Sequence, residues 1–277
     1  MPGKRKATAK ANKRAMELQK ERDHLLSADN SFFMREAYKT LRTNVTFALA
    51  DQEGCKTIAV TSALQSEGKS LTAANLAISF VQADQRVLVI DCDLRRPKLS
   101  RLLGLGNTIG LSNLLLQPGL RESAVLHSKE TGLDVILSGD IPPNPSELLG
   151  SQRMKKLVED LRENYDCIVL DTPPVNMVTD ASVLAPLCDG FLFVVRMNWS
   201  ERGAVLQAVD QLEYAKAKIL GTVLNDVDME KNGYGTYRRK YTRYGYYKSR
   251  GYGYGYGYGY GHQPPYQQDT APEEPPR

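Results

Sequence analysis

Three groups of polar residues, each directly after a predicted buried strand, could carry chemistry in this chain. The first is Gly68-Lys69-Ser70, which follows the β-branched run 57–61 and opens a helical pattern. A strand, a turn and a helix in this order form the setting of a phosphate-binding loop. Backbone N–H groups and the helix N-terminus favour an anion there. Lys69 can reach the β- and γ-phosphates, and the Ser70 hydroxyl can ligate Mg²⁺.

This loop departs from the strict phosphate-loop pattern. Ala63 stands five residues before Gly68, where the pattern has glycine. A Gly-Lys-Ser tripeptide also occurs by chance, so on its own it is weak evidence of nucleotide binding. The case for a nucleotide site therefore depends on the other two groups.

The other two groups are carboxylates. Asp91 ends the predicted strand 86–91 and Asp93 comes two residues later, while Asp171 ends the predicted strand 166–171. We expect the first of these strands to lie beside the strand that leads into the phosphate loop. Mg²⁺ binds oxygen ligands, typically one or two carboxylates together with water and phosphate. Any one of these acids could simply open a turn, but three of them at strand ends favour a magnesium–phosphate site.

Short apolar runs alternate with helical patterns along the chain, which predicts an α/β fold with a doubly wound, mostly parallel sheet of the P-loop NTPase type. In such a sheet ligands bind beyond the carboxyl ends of the strands, where the loop 63–70 would lie. The predicted strands are 56–62, 86–91, 133–138, 166–171, 190–196 and 218–225. The predicted helices are 69–83, 111–117, 147–164, 180–187 and 201–217.

The flanking segments differ in composition from this core. Residues 1–32 form a basic arm, which could bind acidic partners or an anionic membrane surface, or simply be solvated. Residues 33–50 have apolar positions at helical spacing, so we expect the folded domain to span 33–230. Residues 231–277 form a Tyr/Gly-rich tail with too little apolar surface to offset the entropy of ordering, so we expect it to be disordered.

The overall composition is that of a globular protein in a reducing compartment. The 277 residues are 42% hydrophobic and 25% charged, values typical of soluble domains. The sequence has no apolar run long enough for a membrane span and no signal-peptide core at its N-terminus. The four cysteines lack metal-ligand or redox spacing, so we expect them to be small buried residues. These observations favour a cytoplasmic location.

Taken together, the motifs resemble those of the bacterial tyrosine kinases that regulate capsular and exopolysaccharide synthesis. The segments 62–70, 87–97 and 168–174 are similar to the Walker A, A′ and B motifs of that family. Further matches are the segments 36–44 and 142–149 and the terminal tyrosine cluster. The resemblance covers about residues 33–260 and is specific in combination. The chain resembles the split form of the family, in which a separate membrane protein of the chain-length-determinant type carries the transmembrane helices.

The resemblance implies an ATP- and Mg²⁺-dependent protein-tyrosine kinase that autophosphorylates in trans, with a neighbour's tail tyrosine as acceptor. Lys69 would stabilise charge on the phosphates, and Ser70, Asp171 and Asp91 would hold the metal. Asp91 or Asp93 would orient or deprotonate the tyrosine hydroxyl, and we favour Asp91 because it lies nearer the strand end. The implied nucleotide-binding residues are Ser66, Glu67, Gly68, Lys69, Ser70, Leu71 and Asn225. The implied phosphoacceptors are Tyr244, Tyr246, Tyr247, Tyr252, Tyr254, Tyr256, Tyr258 and Tyr260.

Two positions of this implied site need comment. Asn225 matches a position that contacts adenine in related ATPases, although an asparagine after a strand could equally form a turn. Gln65 and Ser66 stand where the family usually has proline and glycine. Both residues supply a backbone N–H group, whereas proline supplies none.

The resemblance also implies partners. The chain would form a homo-oligomeric ring. A transmembrane activator of the chain-length-determinant type would recruit it to the inner face of the plasma membrane, and a cognate tyrosine phosphatase would act on it. No specific nucleic acid is implied. Glu36, Lys39 and Arg42 would form the intersubunit contacts of a Glu-x-x-Arg-x-x-Arg helix motif. Lys39 replaces an arginine of that motif and lacks its planar guanidinium. The same charges could instead pair within the helix.

Two other interpretations fit parts of the sequence. A partitioning-type P-loop ATPase switch shares the loop and the aspartates. That class has a lysine where this chain has Leu64, and it has no use for a tyrosine-rich tail. A non-catalytic interaction protein could use ATP only to set its assembly state. The tail alone would also fit a sticky segment or a binder of single-stranded nucleic acid, but next to a kinase-like core we favour phosphoacceptors.

Overall fold

The computed structural model describes residues 22–106 and 109–227. These residues belong to one of the two units into which the chain divides, Met1–Val227, while the other unit, Asp228–Arg277, lies outside the described residues. The predicted tail with its phosphoacceptor tyrosines therefore lies outside them too, as does most of the basic arm. Within the two described ranges, no helix has the length and apolar character needed to cross a membrane.

Strands and helices alternate along the described chain. The strands are β1 Lys56–Ser62, β2 Val87–Asp91, β3 Val125–His127, β4 Asp134–Ile136, β5 Cys167–Asp171, β6 Gly190–Arg196 and β7 Ile219–Asn225. The α-helices are α1 Phe32–Ala48, α2 Lys69–Val81, α3 Leu99–Leu103, α4 Leu111–Leu116, α5 Arg121–Ala124, α6 Pro145–Leu149, α7 Gln152–Arg162, α8 Asp180–Val183 and α9 Arg202–Tyr214. Two short 3₁₀ helices are Pro118–Leu120 and Ala185–Leu187.

The strands form one seven-stranded sheet in the order β3-β4-β2-β5-β1-β6-β7. Every neighbouring pair is parallel except β3 and β4, which confirms the predicted doubly wound, mostly parallel α/β fold. One expectation was wrong, because β2 is not beside β1. Strand β5 lies between them, and its Asp171 is in register with Val60 of β1 and with Asp91 of β2. Asp171 therefore lies at the centre of this sheet edge, between the phosphate loop and Asp91.

Both faces of the sheet are covered, which explains why the strands read as continuous apolar runs. In β2, Leu88 and Ile90 pack into one core cluster with residues of α4, α7 and α9. Val87 and Val89 pack into the other cluster, with residues of α1 and α2. The cysteines agree with the expectation of buried thiols, since all are free and all but the half-buried Cys188 are buried.

The predicted helix 147–164 is two helices in the structure, because α6 and α7 are separated by a turn at 150–151. The Ser151 side chain accepts a hydrogen bond from the Met154 N–H at 3.2 Å and so caps α7. Strand β3 was not predicted. It has three residues and pairs antiparallel at the sheet edge, so it carries too short a pattern to recognise.

The segment 22–31, which the sequence analysis counted with the basic arm, packs on the domain. Leu25 and Leu26 are buried. The Leu26 N–H donates to Asn75 Oδ1 at 2.8 Å, and Asn75 Nδ2 donates to the His24 carbonyl oxygen at 2.9 Å. Asn75 is a fully buried residue of α2, so these bonds satisfy an amide that would otherwise be destabilising. Packing against the domain therefore begins before residue 33.

We expect Leu26→Ala to lower the free energy of unfolding by about 2–4 kcal/mol, because it removes a buried side chain from the core. Leu206→Ala is the matched control, since Leu206 on α9 is 52% exposed. Its change should stay within about 0.5 kcal/mol. Urea unfolding of the two variants and the wild type measures the difference. Equal midpoints for both variants would show that the segment around Leu26 adds nothing to the stability of the fold.

Candidate active site

The phosphate loop, residues 63–68, connects β1 to α2. Gly68 precedes the helix with φ of 95°, in the left-handed region. A Cβ at Gly68 would lie 2.0 Å from Asn225 Nδ2, so only glycine fits beneath that side chain. Ser66 also has a positive φ, 65°, which glycine adopts readily and serine adopts with strain. The loop therefore has two left-handed residues, of which one is not glycine.

The backbone N–H groups of the loop are available to a ligand. From Ser66 to Leu71, none donates to an acceptor in the described part of the chain. The first helical hydrogen bond runs from the Thr72 N–H to the Gly68 carbonyl oxygen at 2.9 Å. Unpaired N–H groups at a helix N-terminus carry partial positive charge and bind anions. The loop therefore forms a cradle of N–H groups that could hold phosphate oxygens.

The loop carbonyl groups are held by side chains from the ends of β6 and β7. The pairs are Trp199 Nε1 to Gln65 O at 3.4 Å, Arg196 Nη1 to Ser66 O at 3.1 Å, and Asn225 Nδ2 to Glu67 O at 2.9 Å. The C=O and N–H of a planar trans peptide point in opposite directions. Anchoring these carbonyls toward β6 and β7 therefore turns the N–H groups that follow them toward the cradle.

Lys69, the first residue of α2, places its ammonium between two buried carboxylates. Nζ lies 3.0 Å from Asp93 Oδ2 and 3.4 Å from Asp171 Oδ1. It also lies 3.4 Å from the Ser70 hydroxyl. Burial by itself would lower the pKa of Lys69, but Asp171 and Asp93 together outweigh it and the pKa is raised. Lys69 is therefore a protonated cation beside the N–H cradle.

Asp91 is fully buried, and both of its carboxylate oxygens accept hydrogen bonds from backbone N–H groups. Oδ1 accepts from the Asp93 N–H at 3.2 Å, and Oδ2 accepts from the Leu99 N–H at 3.1 Å. Burial, and then the facing Asp171 carboxylate, raise the pKa of Asp91. From the sequence, we favoured Asp91 over Asp93 as the residue that orients the tyrosine hydroxyl. In the structure Asp93 is the one whose carboxylate faces Lys69, while Asp91 fixes the loop that carries it.

Asp171 has one carboxylate oxygen left for a ligand. Oδ1 faces Lys69, and Oδ2 is buried with no hydrogen-bond partner among the described residues. A buried oxygen of this kind is destabilising unless water or a ligand completes it. Within residues 22–106 and 109–227 no three His, Cys, Asp or Glu side chains form a closed metal cage. Asp171 and the Ser70 hydroxyl nevertheless fit Mg²⁺, which typically takes one or two protein ligands plus water and phosphate.

A second network fixes the loop after Asp93. Arg95 Nε and Nη2 donate to the two carboxylate oxygens of buried Asp180 at 2.9 and 3.1 Å, and Nη2 also donates to Ser146 Oγ at 3.1 Å. Ser146 Oγ donates to Asp180 Oδ1 at 2.6 Å. This network joins the loop after β2 to the first residues of α6 and α8. It gives the segment 142–149 a structural role that the sequence did not indicate.

Several residues that support the site gave no signal in the sequence. Arg196 and Trp199 hold the loop carbonyls, as described above. Ser200 is another, because its hydroxyl donates to the fully buried side chain of Glu67. Glu67 itself was expected only as a nucleotide-binding residue, and its side chain also accepts from the Leu64 N–H at 2.6 Å. Arg196 is 130 positions from its loop partner, so no local motif could have revealed this contact. Asn225, for which two explanations were open, lies directly against the loop.

The three charged residues predicted to form intersubunit contacts are engaged within the chain. Lys39 Nζ pairs with Glu36 Oε1 at 2.7 Å on the surface of α1. Arg42 Nη1 donates to the Ser79 carbonyl oxygen of α2. In a single chain, Glu36 and Lys39 therefore form an ion pair within the helix, which was the alternative to intersubunit contacts. An intersubunit role for the three residues stays a prediction.

Comparison with known proteins identifies relatives of this chain. Residues 55–220 match the family described as AAA domain. The chain is 42% identical over 212 residues to tyrosine-protein kinase YwqD of Bacillus subtilis (strain 168), a match that covers 76% of this chain and 85% of that protein. It is 37% identical over 192 residues to tyrosine-protein kinase etk of Escherichia coli (strain K12), covering 69% of this chain and 26% of that longer protein.

Solved structures extend the comparison to the fold. The kinase domain of Escherichia coli tyrosine kinase ETK aligns with a TM-score of 0.68 and 34% identity, over 81% of this chain and 80% of that one. Cobyrinic acid a,c-diamide synthase from Mycobacterium smegmatis, solved with an ATP analogue and magnesium, aligns with a TM-score of 0.54. That match covers 61% of this chain and 72% of the synthase chain, and at 18% identity it shows a shared fold alone. The match to YwqD, by its identity and its length, establishes the family: this chain belongs to the bacterial tyrosine-protein kinases.

Proposed function

We propose that this kinase transfers the γ-phosphoryl group of ATP to tyrosines in the C-terminal tail of a neighbouring copy, and thereby regulates the synthesis and export of capsular or extracellular polysaccharide. The observation that carries the proposal is the position of the Lys69 ammonium, 3.0 Å from Asp93 and beside the N–H cradle. Phosphoryl transfer depends mainly on positioning and charge neutralisation, so this set of groups can suffice. The tyrosine-rich tail supplies acceptors in the same chain.

The residues of the site would have separate roles in phosphate binding and phosphoryl transfer. The N–H groups of 66–71 would bind phosphate oxygens, and Lys69 would move from the carboxylates to neutralise the β- and γ-phosphates. Asp93, released from Lys69, would accept a hydrogen bond from the tyrosine hydroxyl and take its proton. Asp91 would keep its two backbone hydrogen bonds and hold the Asp93 loop in place. We therefore assign the orienting role to Asp93 rather than to Asp91.

A magnesium ion fits the remaining oxygens. Ser70 and Asp171 would hold it, since the Ser70 hydroxyl lies beside Lys69 and Asp171 Oδ2 is unpaired. When bound, the ion supplies positive charge that offsets the charge of the triphosphate. Asp91, which the sequence analysis placed among the metal ligands, already uses both oxygens on backbone N–H groups. The synthase of the same fold, which was solved with an ATP analogue and magnesium, supports this part of the proposal.

We extend the proposal to partners. The chain matches only 26% of etk, so that relative has long segments beyond the shared kinase part. In a split system a separate transmembrane protein of the chain-length-determinant type would supply such segments, activate the kinase and recruit it to the inner face of the plasma membrane. A homo-oligomeric ring through Glu36, Lys39 and Arg42, and a cognate tyrosine phosphatase, complete the proposed system.

Lys69→Met should reduce tail phosphotyrosine at least about 100-fold, because it removes the cation that neutralises the transferred phosphoryl group. The full chain is incubated with Mg-ATP and the cytoplasmic segment of a chain-length-determinant-type membrane protein, and phosphotyrosine is measured by mass spectrometry. Lys156→Met is the matched control, since Lys156 is exposed on α7, and it should match the wild-type rate. Wild-type phosphotyrosine in Lys69→Met would contradict the proposal.

Transfer between chains has a separate test. The inactive Lys69→Met chain is mixed with an active chain in which all tail tyrosines are replaced by phenylalanine. We expect phosphotyrosine on the inactive chain, at a rate that rises with the concentration of the active one. The inactive chain incubated alone gives the background. Phosphotyrosine that forms only when the site and the tyrosines are on the same chain would show that the reaction is intramolecular.

The two aspartates after β2 should respond differently to amide substitution. Asp93→Asn should lower kcat about 100-fold with little change in affinity for Mg-ADP, because it removes the proton acceptor. Asp91→Asn should lower the free energy of unfolding by about 1–3 kcal/mol, because its NH₂ group would face a backbone N–H. Single-turnover kinetics and urea unfolding separate the two effects. Full kcat in Asp93→Asn, with kcat lost in a stable Asp91→Asn, would return the orienting role to Asp91.

A further inference from the structure

We propose that Arg196, supported by Trp199, is a positioning residue that holds the phosphate loop in its nucleotide-binding form and compensates for the serine at position 66. The inference rests on the nucleotide site of the proposed function and deepens it. It concerns the residues that keep the loop in shape, whereas Lys69 and the N–H cradle are the groups that would touch the phosphates.

Ser66 is the loop residue whose backbone conformation needs to be held by neighbouring side chains. Its φ of 65° lies in the left-handed region, which is unfavourable for a residue with a Cβ and neutral for glycine. A serine released from this conformation would move to negative φ. That change would rotate the peptide between Ser66 and Glu67, and the Glu67 N–H would leave the cradle.

Arg196 makes the contact that opposes this rotation. Its Nη1 donates to the Ser66 carbonyl oxygen at 3.1 Å, so the carbonyl at the strained residue is held directly. The guanidinium is itself fixed, since Nε and Nη2 lie 3.0 and 2.9 Å from Asp226 Oδ2. It also lies 5.3 Å from the centre of the Trp199 ring, a cation–π contact. Only the planar fork of arginine can make these contacts together.

Trp199 extends the support by one residue. Its Nε1 donates to the Gln65 carbonyl oxygen at 3.4 Å, on the N-terminal side of Ser66. Two successive carbonyls are thus held by a pair of side chains that also contact each other. Both side chains are partly exposed, Arg196 at 35% and Trp199 at 54%, so neither belongs to the hydrophobic core. Their removal should therefore affect the loop rather than the sheet.

The test compares the affinity of the full chain for Mg-ADP, measured by titration calorimetry, across a small set of variants. Arg196→Ala should bind about tenfold more weakly, the equivalent of one hydrogen bond made by a charged group. Adding Ser66→Gly to Arg196→Ala should bring affinity back to within about threefold of the wild type, because glycine adopts the loop conformation without strain. Arg202→Ala is the matched control and should bind as the wild type does. Arg202 is exposed on α9, and its side chain makes no hydrogen bond or ion pair with the described residues.

Two further readouts separate loop positioning from a general structural role. Trp199 is the only tryptophan of the chain, so its emission reports on this contact alone. Acrylamide quenching of that emission should increase in Arg196→Ala and stay increased when Ser66→Gly restores binding. In tail phosphorylation, Arg196→Ala should raise KM for ATP while kcat at saturating ATP stays near the wild-type value.

Wild-type affinity in Arg196→Ala, or weak binding that Ser66→Gly does not restore, would overturn the inference. Trp199→Phe provides a second test if Arg196→Ala is unstable, because it removes the N–H donor and keeps an aromatic ring beside Arg196. It should bind about two- to threefold more weakly, and unchanged binding would likewise count against the inference. Calorimetry does not depend on phosphotyrosine. A chain that shows this binding pattern but phosphorylates no tyrosine would contradict the proposed function and leave this inference intact.

Discussion

The Lys69 ammonium between the carboxylates of Asp93 and Asp171 is the interaction on which the rest of the site depends. All three side chains are buried, and buried charges are tolerated only when they are paired. The protein side of the site nevertheless has more negative charge than positive, because two carboxylates, those of Asp93 and Asp171, face the single Lys69 ammonium. A triphosphate is therefore better accommodated with a bound cation than without one, which fits a site for magnesium-bound nucleotide.

The parallel sheet makes this pairing possible. Strands β1, β5 and β2 are neighbours that end at the same edge, so the loop before α2 and the acids after β5 and β2 meet there. The ends of strands can be predicted from short apolar runs followed by turn residues. For this reason the sequence predicted that Lys69, Ser70, Asp93 and Asp171 would lie in one site. It did not predict the order of the strands in the sheet. Apolar runs of similar length carry no signal that places β5 between β1 and β2.

Other features could not be predicted, for a related physical reason. Arg196 and Trp199 follow a strand and, in sequence, resemble ordinary surface residues at a turn. Their contacts with the phosphate loop exist only once β6 has paired beside β1. The burial of Leu25 and Leu26 likewise goes with a contact far along the chain, to Asn75 of α2, while residues 21–24 and 27, which flank the pair, are charged or polar. In each case the deciding partner is distant in sequence, so local patterns predict a solvated residue.

The position of β7 has a consequence for biosynthesis. It is the last strand of the described chain and lies at the edge of the sheet, yet its final residue, Asn225, covers Gly68 and donates to the Glu67 carbonyl. A chain emerging from the ribosome exposes the loop, the lysine and the aspartates well before Asn225. The nucleotide site of a nascent chain is thus complete only after residue 225 has emerged, and the tyrosine-rich stretch follows directly behind it. Translation therefore delivers the completed site and its proposed acceptor tyrosines together, and truncated chains that end before β7 lack both.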